Sequence, residues 1–192
     1  MARGVSSRLV LLLPVRDLVR RWRAPRSRGA DVDAVRRRIG AALADGGSDD
    51  AVRLARELRE LRPLVSEAFG RVRACSTCAR GRPEPHGHWR GGFCCGGATE
   101  GVFSPDEVAA LALGGTRPRD LRPPPGDHAG CAFRGAEGCS LDPVDRPNLC
   151  VRFACRELEA ELRDDGEWQR VRELTKRLET TFARFVSARD RG

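Results

Sequence analysis

Tyrosine is absent from this 192-residue chain, and aromatic residues make up only 5% of it. The core must therefore come from Leu, Val, Ala and seven Phe, and a chain of this length can bury enough of them for one ordinary domain. Long apolar runs are also missing. The longest, Leu9 to Val15, falls far short of the roughly 20 apolar residues a membrane-spanning helix needs, so no span is expected. That run follows Arg3 and Arg8 as a secretory signal would, but Arg16, Asp17, Arg20 and Arg21 come at once and no A-x-A-like cleavage site follows. The expected compartment is the cytoplasm. There is no G-x-G-x-x-G loop, no P-loop and no H-E-x-x-H pair, which removes the usual signatures of dinucleotide binding, nucleotide hydrolysis and zinc proteolysis.

Lysine is nearly absent too: of 35 basic residues only Lys176 is one. The net charge of +8 is wholly accounted for by the first 40 residues, where eleven Arg face Asp17, Asp31 and Asp33; the rest balances at 24 basic and 24 acidic groups. Arginine binds phosphate bidentately, so this arm could touch nucleic acid. So strong an Arg preference has a plainer source in coding bias, and no nucleic-acid-binding signature accompanies it. Residues 1–30 are read as a basic, partly disordered arm, and a nucleic-acid partner is disfavoured.

What the chain does have is helical periodicity and cysteine. From Asp31, Val32, Val35, Ile39 and Leu43 recur at helical spacing until Gly46-Gly47-Ser48. A second helix from near Asp49 turns Val52, Ala55, Leu58 and Leu61 inward, with Pro63 expected to break or restart it. Val65, Phe69 and Val72 carry the apolar face towards Cys75, giving a helical scaffold over 31–73. Ser104-Pro105-Asp106-Glu107 predicts a helix start, Ser104 as N-cap and Glu107 closing a capping box. A Pro- and Gly-rich connection leads on to a hairpin over Ala132 to Gly138. A long helical tail from Arg156 to about Arg189 is nicked at Asp164-Asp165-Gly166, and residues 161–192 form an amphipathic C-terminal helix. Trp168, Val171, Leu174, Leu178, Phe182 and Phe185 share its core-facing stripe.

All eight cysteines fall between positions 75 and 155: Cys75-x2-Cys78, the adjacent Cys94-Cys95, then Cys131, Cys139, Cys150 and Cys155. In a reducing compartment such a cluster means metal or redox chemistry before disulfides, because thiolates select zinc, copper(I) or iron–sulfur clusters. Cys75-x2-Cys78 has metal-knuckle spacing. Adjacent side chains diverge in extended structure, so Cys94-Cys95 suits two metal positions or two irons of one cluster better than one tetrahedral ion. Asp145-Arg146-Pro147-Asn148-Leu149-Cys150 reads as a helix entry with Pro147 in its first turn. On a regular helix Cys150 and Cys155 would lie about 140° apart around the axis and about 7.5 Å along it, too far to share one ion. His86 and His88 are candidate auxiliary ligands, ahead of His128, with solvated loop histidine the plainer reading. Arg146 is a candidate for hydrogen bonding to the cluster's sulfurs.

The run Cys131-Ala-Phe133, Gly138-Cys139-Ser-Leu, Asp145-Arg146-Pro147-Asn-Leu-Cys150-Val-Arg-Phe153-Ala-Cys155 resembles the C-terminal half of the YkgJ-like CxxCxxCC cysteine-cluster proteins, described as zinc- or iron-chelating domains. Phe103 to Glu107 is similar to the helix that family places between its two cysteine groups. The resemblance covers about residues 75–160. The family keeps two residues between its CxxC and its CC, whereas here Ala79 to Phe93 intervene, and Ala154 stands where many members have Pro. The resemblance implies metal binding, commonly as an iron–sulfur protein, and one branch contains flagellin lysine N-methylases.

The expected fold is mainly α, with an irregular, loop-rich, metal-organised cysteine domain over 75–160, a helical N-terminal hairpin and a long C-terminal helix. The expected function is metal chelation by Cys75, Cys78, Cys94, Cys95, Cys131, Cys139, Cys150 and Cys155. Irregular spacings favour an iron–sulfur cluster over Zn2+. Two alternatives stay open: an iron–sulfur oxidoreductase or protein-modifying enzyme, and a zinc module with an Arg-rich nucleic-acid-binding arm.

Overall fold

Ser27 opens the first helix: its Oγ accepts the Ala30 N–H at 3.1 Å, capping α1 (Arg28–Asp45) three residues ahead of the expected start. The computed structural model describes residues 27–69, 99–125, 131–135, 138–154, 156–164 and 166–191. The basic arm before residue 27, Val72, Cys75, Cys78, His86, His88, Cys94, Cys95, His128 and Cys155 lie outside the described residues. In α1, Val32, Val35 and Ile39 are buried as their spacing predicts, and Leu43 is half-buried.

Ser48 caps the next helix, α2 (Asp49–Phe69), accepting the Ala51 N–H at 3.3 Å. It runs unbroken through Pro63. A proline there forfeits one backbone bond, but Leu61, Arg62 and Val65 around it are buried, and their packing holds the helix across the gap. Ala55, Leu58 and Leu61 face inward as expected, while Val52 is only half-buried; Leu54 and Arg62 occupy inward positions the periodicity had not assigned.

A single turn, α3 (Thr99–Val102), precedes α4 (Pro105–Leu113). Ser104 caps α4 by accepting the Glu107 N–H at 3.3 Å. The chain then passes through a 3-10 turn (Pro118–Asp120), a hairpin of β1 (Arg134–Gly135) and β2 (Gly138–Cys139), and a second 3-10 turn (Pro143–Asp145). Three helices close the sequence: α5 (Asn148–Arg152), α6 (Arg156–Asp164) and α7 (Trp168–Arg189). The expected nick is a full break, Gly166 turning the chain at φ 75°. The fold of the described residues is mainly helical, with the predicted hairpin reduced to two residues per strand, Arg134 opposite Cys139 and Gly135 opposite Gly138.

Two main cores result. In the first, Val32, Val35 and Ile39 of α1 meet Phe103, Leu111, Leu121, Phe133 and Leu141. In the second, α2 lies along α7, so Leu54, Leu58, Leu61 and Val65 pack on Leu178 and Phe185, with Ala110 of α4 and Val151 of α5 filling one side. The amphipathic stripe of α7 is thus core. Helix α4 joins the two cores, and its C-terminal Gly114 allows it to come close: a Cβ there would stand 2.9 Å from the Ala55 carbonyl oxygen of α2. A smaller cluster seats α6 through Leu158 and Leu162 against Ala68 and Val171.

Candidate metal centre

Cys131 enters the first core beside Ala132 and Phe133, whose ring lies 5.3 Å from that of Phe103. Its position is fixed from two sides. Arg28 of α1 donates through Nη1 to the Ala132 and Arg134 carbonyls at 2.6 and 3.0 Å, and the Ala132 N–H donates to Thr99 Oγ1 at 2.9 Å. Cys139, half-buried, stands opposite Arg134 in the hairpin. Cys150 sits in α5.

Cys131 just before the hairpin, Cys139 within it and Cys150 in α5 lie within electrostatic reach of one another. Burial pushes the Cys131 thiol up to about 11, and the neighbouring Cys139 adds to the shift. Cys150 is exposed as a residue, and desolvation by the surrounding protein, with Cys131 and Cys139 adding to it, raises its thiol pKa. Arg146 acts in the opposite direction on Cys150. Its guanidinium Nε donates to the Leu141 carbonyl at 2.9 Å, which holds the positive charge near the thiols. Among the described residues no group of three or more His, Cys, Asp and Glu side chains is arranged to hold a metal ion.

Beneath Cys150 lies a buried polar network that sequence reasoning missed. Glu107, expected to close its own helix's capping box, instead reaches away to the start of α5. Its Oε2 accepts the Asn148 N–H at 2.8 Å and the Asn148 Nδ2–H at 2.9 Å, and its Oε1 accepts the Leu149 N–H at 2.9 Å. The carboxylate has exchanged one local donor for three in another element. Burial raises the Glu107 pKa, and the N–H donors and the Arg62 charge oppose the rise. Arg62, wholly buried in α2, donates from Nε to Asn148 Oδ1 at 3.0 Å and from Nη1 to the Val144 carbonyl at 3.1 Å. Burial lowers its pKa to about 10, a fall the Glu107 charge opposes. Asp145 accepts from Thr116 Oγ1 at 2.7 Å and pairs with Arg59 at 3.4 Å.

The helix entry expected at Asp145 to Cys150 therefore exists, with two corrections. Pro147 is the N-cap and stands just outside the helix. The helix also ends at Arg152, Phe153 being extended, so Cys150 and Cys155 do not share a regular helix and the helical separation expected for them does not apply. A sequence signal for the network did exist: Arg62 interrupts the stripe Leu58, Leu61, Val65 at a position where an apolar residue belongs.

Burial and the neighbouring thiols favour protonated Cys131 and Cys150 in the protein alone. Among the described residues no helix is long and apolar enough to cross a membrane. No family model, curated protein or solved structure matches this chain.

Proposed function

We propose that this chain is a metal-chelating protein whose eight cysteines form a thiolate centre, with Cys131, Cys139 and Cys150 as one part of it. What supports the reading is the confinement of all eight cysteines to residues 75–155, with Cys131, Cys139 and Cys150 near enough to act on one another's charge. Free cysteine packed as a small hydrophobe has no reason to gather so. The remaining ligands in this reading are Cys75, Cys78, Cys94, Cys95 and Cys155, with His86 and His88 auxiliary. The sequence resemblance to the YkgJ-like family supports the same centre from the spacing of Cys131 to Cys155.

An iron–sulfur cluster is the preferred occupant and Zn2+ the second; when bound, either would supply a positive charge that keeps the thiols ionised, and a cluster would add electron transfer. The chain's own contribution is to deliver Cys131 from the first core, Cys139 from the hairpin and Cys150 from α5, with the Arg146 charge beside them. Anaerobic purification, then iron, zinc and acid-labile sulfide analysis and a visible spectrum, tests this. Iron with matching sulfide, or stoichiometric zinc, is the expected outcome; a metal-free chain that takes up neither on reconstitution overturns it.

A further inference from the structure

Helix α5 is five residues long, far too short to hold itself together, and it carries Cys150. Its first N–H groups have no partner within so short a helix. They find one in Glu107, a buried carboxylate on α4 that is 41 residues away from Asn148 in sequence. On the other side, Arg62 of α2 grips Asn148 Oδ1 and the Val144 carbonyl, fixing the chain just before the same turn. A further bond, from the Cys150 N–H to the Pro147 carbonyl at 2.9 Å, ties the cysteine to the segment these two residues hold. Burying a carboxylate and a guanidinium is costly, and apolar residues of similar size would seal this floor at least as well. Directional bonds offer something apolar contact does not, namely a fixed rotation and height for the first turn of α5.

We propose that Glu107 is a positioning residue for the thiolate centre: by bonding three N–H groups at the start of α5 it sets where the Cys150 sulfur stands relative to Cys131 and Cys139. The proposal rests on the metal-chelating reading above. Glu107 touches no ligand sulfur and acts through the backbone of Asn148 and Leu149. Partners that orient a ligand in this way are commonly worth 10- to 100-fold in metal affinity.

Cobalt(II) titration of the full-length, anaerobically prepared apo-protein provides the test, because the intensity of sulfur-to-cobalt charge transfer reports how many thiolates bind. Glu107→Gln keeps the shape but turns one acceptor oxygen into an N–H donor that faces donors. With far-UV circular dichroism unchanged, it is expected to bind cobalt about 10-fold or more weakly, with charge-transfer intensity reduced by one thiolate's share. Glu107→Asp, which restores the charge, is expected to recover part of both. An unchanged spectrum and affinity in folded Glu107→Gln overturns the proposal while leaving the metal-chelating reading intact. A wild-type protein with no thiolate charge transfer removes the ground for both. Should Glu107→Gln fail to fold, Glu107→Asp decides: it keeps the charge, but its shorter side chain cannot reach all three N–H groups. Binding a few-fold weaker than wild type is then expected, and unchanged binding overturns the proposal.

Discussion

The seam between α2 and α7 and the floor beneath Cys150 are both buried, yet they are built from opposite materials. Along the seam Leu54, Leu58, Leu61, Leu178 and Phe185 close on one another, and polar contacts such as Thr181 to Glu57 lie towards its edge. Under Cys150 the buried groups are Arg62, Glu107, Thr116, Asp145 and Asn148. The seam joins two helices of 21 and 22 residues, which need only to be pressed together, and non-directional apolar contact suffices. The floor holds a five-residue helix and a 3-10 turn, which have almost no internal bonds of their own, and hydrogen bonds of fixed direction are what give such pieces a single orientation. The seam is held by apolar burial and the floor by bonds of fixed direction.

The largest effect expected on this contrast comes from Phe133→Ala. Its ring is fully buried against Phe103 two residues from Cys131, so about 3–5 kcal/mol of stability should be lost together with weaker metal uptake, as read by urea unfolding and metal titration. Leu58→Ala, at the seam, should cost about 2–5 kcal/mol, yet leave metal affinity unchanged at temperatures where the variant is folded. A loss of affinity there would erase the distinction between the two regions. Thr116→Val removes the 2.7 Å donor to Asp145 while the longer contact from Arg59 stays, and unfolding curves should shift by about 1–3 kcal/mol.

Acidity separates the regions in a further way. Burial raises the folded-state pKa of Glu107 above its ordinary 4.5. The fold therefore favours its protonated form: this contribution is fully present below about pH 4.5 and is lost as pH climbs through the raised value. Stability measured from pH 4 upward should show a decline in wild type that Glu107→Gln lacks, and parallel curves would refute the assignment. The smallest effect belongs to Arg152→Ala. It removes an exposed pair with Glu179 at 2.6 Å between α5 and α7, and thermal unfolding should register less than about 1 kcal/mol.

Much of the helical frame was legible in the residues. Val32, Val35 and Ile39, the Ser104 cap, the hairpin around Gly135 and Gly138, and the stripe Val171, Leu178 and Phe185 obey local rules of period and capping, which act over a few residues. Pro63 misled because proline's local preference was outweighed by burial of Leu61, Arg62 and Val65. Glu107 misled because one carboxylate had two possible employments, a local cap and a distant one, and spacing speaks only for the first.

The sequence by itself determined where the long helices run, which of their faces turn inward, and that soft donors are confined to one stretch of chain, since each of these follows from neighbours within a turn or two. Only the tertiary structure decided that Cys131, Cys139 and Cys150 lie near enough to act on one another's charge, and that Arg62 of α2 and Glu107 of α4 meet over Asn148. Those contacts join residues up to 86 positions apart, and they exist because α4, wedged between two cores, carries its carboxylate to a helix too short to stand alone.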